Sequence, residues 1–264
     1  MTQELKTRII TAAILLLLVF FLLFIASNFW FDLALAVLLL LAAWEWTNLA
    51  QVSDRKLKIF YLALTAILIL SALYFNYWVH LGFIFWLSAL LWLPLFPGKT
   101  ERLFADYRLN LLAGWLILIP AWQALHLLHD ERQLILLLLI IIWAADIGAY
   151  FSGRQFGNIK LASKVSPGKT LEGAAGGALL AVVAGMVYIN FISGLHFASI
   201  GLILFTVFMS VIGDLVESAY KRQAGLKDSS NILPGHGGIL DRIDSLTAAA
   251  PAFYLAYNFL YFKS

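Results

Sequence analysis

The sequence predicts an all-α, polytopic helical membrane protein, and three observations carry that reading. Hydrophobic residues fill 62% of the 264 positions and charged residues only 12%, against about 25% charged in ordinary globular domains. Apolar segments long enough to cross roughly 30 Å of hydrocarbon recur about nine times. Lys and Arg gather in alternate connections between those segments.

In order, transmembrane helices are expected near 9–27, 33–51, 59–77, 79–96, 109–128, 133–152, 173–193, 197–216 and 243–261. The first follows Lys6 and Arg8 and is longer than the apolar core of a signal peptide; with further spans behind it, it reads as a retained helix. If the N-terminus is cytoplasmic, one face receives sixteen basic residues, from Lys6 and Arg8 through Lys99, Arg102 and Lys164 to Arg242, and the other only Arg132 and Lys263. One helix missed or invented would invert every later loop and destroy that split. Nine spans with the N-terminus inside is therefore the consistent topology, and the compact chain is expected in a bacterial inner membrane. The opposite connections, near Asp32, Asn76, Asp130 and Gly194, are short, so a site assembled from loops belongs on the cytoplasmic face.

Residues 1–128 read as a scaffold of transmembrane helices. Trp30, Trp44, Trp46 and Trp78 lie near predicted interfaces and read as anchors. Glu45 and His80 stand close enough to helix ends to snorkel. Residues 129–264 read as the catalytic region, with cytoplasmic loops 153–172 and 217–242. No cysteine is present, which excludes a disulfide framework, a thiolate metal site and a thiol nucleophile.

The polar residues of the second region point to phosphate chemistry. Asp146 stands inside the sixth apolar segment among Ala145, Gly148 and Ala149. A carboxylate there costs about 2.5–3.5 kcal/mol on insertion scales, so it needs a cavity or a partner; the plainer alternative is a hydrogen bond between helices packed on small residues. The loop Lys164-Val-Ser-Pro-Gly-Lys-Thr-Leu-Glu-Gly173 ends like a P-loop, but that motif requires glycine at 163, which is serine. What remains is a helix start with unpaired N–H groups beside Ser166, Lys169 and Thr170, a place for a polyphosphate or an ordinary cap.

Farther along, Asp214 and Ser218 are four residues apart on one helical face, and Asp241 and Asp244 are three apart at the start of the last span. Lys221, Arg222, Lys227, Asp228 and the glycine-rich turn around His236, Gly237 and Gly238 lie between them. Two carboxylates about 4 Å apart repel by about 4 kcal/mol at an effective dielectric of 20. A hard divalent cation reverses that sign, and an oxygen-only donor set favours magnesium over zinc. Asp214, Asp241 and Asp244 are thus the expected metal ligands, and the basic residues the expected phosphate ligands.

The run Ser218-Ala-Tyr-Lys-Arg222, then Lys227-Asp228, then Pro234-Gly-His-Gly-Gly-Ile-Leu-Asp-Arg-Ile-Asp244 resembles the signature of the phosphatidate cytidylyltransferase (CDP-diacylglycerol synthase) family. Asp146 with its glycines and Ser166–Gly173 resemble family patterns too. The chain departs at Tyr220, where Phe or an aliphatic residue is more usual, and at Gly168, where a basic residue is more frequent. The specific resemblance covers about the last 120 residues.

The resemblance implies CTP and phosphatidic acid as substrates, CDP-diacylglycerol and pyrophosphate as products, magnesium with a second cation, and a homodimer among membrane lipids, with no nucleic-acid partner. It makes Asp214, Lys221, Asp241 and Asp244 the expected catalytic group. Ser166, Lys169, Thr170, Ser218, Arg222, Lys227, His236, Gly237, Gly238 and Arg242 are the expected substrate contacts, supported by Asp146, Glu172 and Asp228. Rival readings are a related lipid-phosphate cytidylyltransferase, a lipid kinase, and an ion-coupled transporter using Asp146 and Asp214. The transporter reading lacks the paired halves common in that class.

Overall fold

A computed structural model of the chain describes residues 3–100, 104–192 and 198–261. Nine long helices run through these residues: α1 (Gln3–Phe24), α2 (Asn28–Leu49), α3 (Arg55–Tyr74), α4 (Tyr77–Trp92), α5 (Tyr107–Leu127), α6 (Arg132–Phe156), α7 (Leu171–Ile192), α8 (Ala198–Gln223) and α9 (Leu240–Tyr261). Each coincides with an expected span. Eight are long and apolar enough to cross a membrane; α9 is not. Arg102, the connection near Gly194 and Lys263 lie outside the described residues.

Local chemistry sets the helix starts. Asp54 accepts a hydrogen bond from the Lys56 amide at 2.8 Å to open α3, and Asp106 does the same for Arg108 and α5. Thr170 Oγ1 accepts the Gly173 amide at 3.1 Å and caps α7. Two ends differ from the hydropathy reading. α8 continues well past 216, because Asp214, Glu217, Ser218 and Lys221 extend the helix along one polar face. Between α6 and α7, where a loop was expected, β1 (Lys160–Ala162) and β2 (Ser166–Thr170) form an antiparallel hairpin.

Burial runs opposite to that of a water-soluble bundle. α1 exposes Ile9, Ile14, Leu17 and Phe20, each more than half accessible, as a helix facing lipid does. α9 is the reverse: Ala248, Ala249, Ala250, Ala252 and Phe253 are fully buried against α8 and α5. Two hydrophobic clusters meet there, one built mainly from α2 to α5, the other from α6 and α7. Trp46 and Trp78 correct their expected role as interfacial anchors. Both are buried in the core, and Trp46 Nε1 donates to the Asn110 carbonyl at 2.7 Å, which satisfies its polar atom within the protein. Trp30 remains exposed, and Trp44 takes the Lys58 ammonium 5.4 Å from its ring centre.

Hydrogen bonds between distant connections show which loops share an end. Thr11 Oγ1 reaches the Pro234 carbonyl at 3.1 Å, Gln51 the Gln223 carbonyl at 3.2 Å and Arg222 Nε the Val165 carbonyl at 3.3 Å. The start of α1, the α2–α3 turn, the hairpin and the 224–239 loop therefore gather at one end. At the other, Asn28 Nδ2 donates to Asp130 Oδ1 at 2.6 Å, and Gln123 Nε2 closes the α3–α4 turn through the Ala72 and Phe75 carbonyls at 2.7 and 2.8 Å. The basic connections and the short connections thus occupy opposite ends of one bundle.

Candidate active site

The site is built where α8, α9 and the hairpin meet at the basic end. On α8, Asp214, Glu217, Ser218 and Lys221 follow a spacing that stacks them on one helical face. α9 approaches closely because residue 213 is glycine: a Cβ there would lie 2.5 Å from the Asp244 carbonyl oxygen.

Two acid–lysine pairs organise the charge. Lys169, on β2, forms a short ion pair with Asp214 Oδ2, whose second oxygen accepts Ser218 Oγ at 3.2 Å. Lys221 is buried, with Nζ 2.7 Å from Asp241 Oδ1 and 3.2 Å from Glu217 Oε1. Asp241 Oδ2 accepts Ser229 N at 2.9 Å, Ser229 Oγ at 2.9 Å and Gly238 N at 2.8 Å. Asp241 therefore fixes the loop ahead of α9 as well as pairing with Lys221. Asp244 accepts the Ser245 amide at 2.7 Å and lies within electrostatic reach of Asp214 and Lys169.

The three acids expected as metal ligands do not bring three carboxylate oxygens within 4.8 Å of one another; two lysines stand among them instead. An all-oxygen donor set nevertheless suits magnesium. Asp214, with one partner on each oxygen, and Asp244 fit it better than Asp241, whose Oδ2 is already crowded by three contacts from residues 229 and 238.

Glu45, expected to snorkel from a helix end, instead belongs to the framework of this site. It is fully buried, not snorkelling, and its carboxylate accepts Ser230 Oγ at 2.5 Å, Ile239 N at 3.0 Å and Leu240 N at 2.8 Å, while the single Ser229 hydroxyl proton is shared between Glu45, at 3.1 Å, and Asp241. It thus ties α2, in the expected scaffold half, to the loop and first turn of α9. Gly238 makes room for this: a Cβ there would fall 2.0 Å from Ser229 Oγ and 2.7 Å from both Glu45 oxygens. Gly237 has φ +81°, where its amide neighbours turn inward to Asp241, and Leu233 bridges back to it.

The remaining expected residues divide by environment. Asp146 lines a cavity of about 230 Å³ together with Tyr150, Lys169, Thr170, Ser210 and Ser245, and it lies within electrostatic reach of Lys169, Asp214 and Arg242. Thr170 caps α7 from a buried position, and Glu172 accepts the Ile159 amide at 3.1 Å, closing the hairpin. Ser166 is half-buried on β2. Arg222 joins α8 to the hairpin, while Lys227 and Asp228 are exposed in the loop. His236 uses its main chain: its carbonyl accepts Arg242 Nε at 3.0 Å and a terminal guanidinium nitrogen at 2.7 Å. Tyr220 packs between Trp46 and Phe104, at ring separations of 4.7 and 4.8 Å, which accounts for an aromatic ring at that position.

Fold and site together define a polytopic membrane protein that presents paired acids and lysines at the ends of its apolar helices. Residues 6–260 match the cytidylyltransferase family, and the chain belongs to it. It is 39% identical to a phosphatidate cytidylyltransferase of Haemophilus influenzae, over 97% of this chain and 99% of that one. It is 41% identical to one of Pseudomonas aeruginosa, over 94% and 95% of the two chains. A Bacillus subtilis relative of the same name is 49% identical over 44% of each chain.

Proposed function

We propose that the chain transfers a cytidylyl group from CTP to phosphatidic acid, giving CDP-diacylglycerol and pyrophosphate, at the cytoplasmic face of a bacterial inner membrane. The observation that carries this reading is the position of the Lys169–Asp214 and Lys221–Asp241 pairs, at the edge of a bundle whose apolar helices leave acyl chains in lipid while a soluble nucleotide reaches the loops. Membership of the family and the names of its full-length relatives support the substrates.

A phosphatidate oxygen attacks the α-phosphorus of CTP in line; the new P–O bond forms as the bridge to the β-phosphate breaks, and pyrophosphate leaves with that electron pair. The phosphate monoester is already largely ionised near neutral pH, so positioning and charge neutralisation supply the catalysis. Lys169 exchanges Asp214 for a phosphate, with Ser166, Ser218, Arg222, Lys227 and Arg242 completing the polar surface. The cavity beside Asp146 falls below the roughly 300–1,000 Å³ of ligand pockets; at about 230 Å³ it suits a phosphate group with water, while the nucleoside lies across the loops. Asp214 and Asp244 would hold magnesium, which would supply positive charge against the triphosphate. Lys221, Asp241 and Glu45 hold the loop that frames it. The resemblance adds a homodimer to this reading.

The test is pyrophosphate release by purified protein supplied with CTP, phosphatidic acid and magnesium. Wild type turns over; Asp214→Asn and Asp244→Asn lose turnover and require more magnesium for what remains. Asp241→Asn loses turnover without moving the magnesium midpoint. Full activity in the Asp214 and Asp244 variants would sink the metal assignment, and turnover of an ether-lipid phosphate in place of the diacyl substrate would sink the choice of lipid.

A further inference from the structure

At the end of the bundle opposite the acid–lysine site, three metal-binding side chains from separate parts of the chain converge. Asp32 stands in the first turns of α2, His126 in the last turn of α5 and His129 in the turn between α5 and α6. His126 Nδ1 lies 2.9 Å from Asp32 Oδ2, and His129 Nδ1 lies 3.1 Å from both Asp32 oxygens. One donor atom from each residue falls within 4.8 Å of the other two.

We propose that Asp32, His126 and His129 bind a zinc ion. Zinc takes imidazole nitrogen at about 2.0–2.1 Å and carboxylate oxygen at about 2.0–2.2 Å in a tetrahedron, which sets its ligand atoms roughly 3.3–3.5 Å apart. The two histidine–aspartate separations, 2.9 and 3.1 Å, need widen by only a few tenths of an ångström to admit it. Two imidazoles and one carboxylate select zinc or a neighbouring transition metal over magnesium or calcium. Three protein ligands leave a fourth position for water, and side chains 18–20% accessible give it a path in.

The surroundings hold the ligands in orientation. His126 stacks on Trp122 with ring planes 4° apart. His129 Nε2 lies 3.6 Å from Asp130 Oδ2, the outer carboxylate that metal-bound histidines characteristically use. Asp130 is in turn held by Asn28 Nδ2 at 2.6 Å, and Asn28 Oδ1 accepts an Arg132 guanidinium nitrogen at 2.6 Å. When the metal replaces the Nδ1–H contacts to Asp32, each neutral ring keeps its proton by carrying it on Nε2, which for His129 faces Asp130. The site shares no residue with the proposed cytidylyl-transfer centre and does not depend on that reading. Its occupancy would clip α2, α5 and the α5–α6 turn together.

Protein stripped with EDTA and given one equivalent of CoCl₂ tests this directly, because tetrahedral cobalt absorbs in the visible. The wild type is expected to take up about one cobalt per chain, to show tetrahedral bands that ZnCl₂ abolishes, and to unfold roughly 5–10 °C higher with zinc at a hundredfold over Kd. Asp32→Asn and the His126→Ala/His129→Ala pair lose the bands, whereas Asp214→Asn/Asp244→Asn keeps them. Absence of the bands from the wild type, which needs no variant to fold, would overturn the proposal, as would their loss in the Asp214/Asp244 variant alone.

Discussion

Glu45 is fully buried, yet its carboxylate is satisfied by three donors from residues 230–240 and by a Ser229 hydroxyl shared with Asp241. Glu45→Gln keeps the size but turns an amino group toward those donors, and a buried group left unpaired costs about 1–3 kcal/mol. The expected result is a lower unfolding temperature and at least a tenfold loss of pyrophosphate release. Undiminished turnover would mean the loop needs no such anchor. The two lysines separate in the same way. Lys221 is sealed between two buried carboxylates, so Lys221→Ala strands charge and should destabilise by about 3–5 kcal/mol. Lys169 is partly exposed, so Lys169→Ala should remain folded, by size-exclusion profile and melting temperature, while losing turnover. Asp214, Ser218, Lys221 and Asp241 were legible because helical spacing or a motif joins them. Glu45 was not, because its partners lie 184 to 195 residues away; an acid in an apolar run was the available signal, and its nearness to a helix end outweighed it.

Among the elements, α6 and α7 make the most extensive helix contact, and small residues permit it: a Cβ at Gly177 would lie 2.5 Å from the Ala145 carbonyl, and one at Gly148 2.6 Å from that of Gly176. Gly177→Leu should push the helices apart, cost about 1–3 kcal/mol in thermal unfolding and displace the hairpin that carries Lys169. An unchanged melting temperature would show that the pair tolerates separation. Eight of the helices were legible from long, predominantly apolar runs. The hairpin was not, since β1 and β2 are three and five residues long and are held by contacts with α8 and Glu172 instead of by a strand pattern of their own. The extension of α8 was hidden for a related reason: hydropathy stops where the polar face begins, although the backbone continues.

For the molecule as a whole, the gathering of basic connections at one end makes topology measurable. The chain contains no cysteine, so a single one introduced at Lys164 or at Asn76 reports its own side. With the proposed orientation, a membrane-impermeant maleimide added to intact cells should label Asn76→Cys and leave Lys164→Cys unlabelled until the membrane is opened. The opposite pattern would invert the assignment of the site. The polarity of α9 bears on how the protein is made. A segment of this composition, presented alone to the insertion machinery in a glycosylation-reporter host, should enter the bilayer poorly, whereas α6 or α8 should enter readily. Its passage into lipid then depends on neighbours already there, α5 and α8 above all, which offer its alanine face a protein surface. On that expectation biogenesis couples the two events: the helix bearing Asp241 and Asp244 should lodge in the membrane by joining an assembled bundle, so a half-built protein should lack the proposed centre.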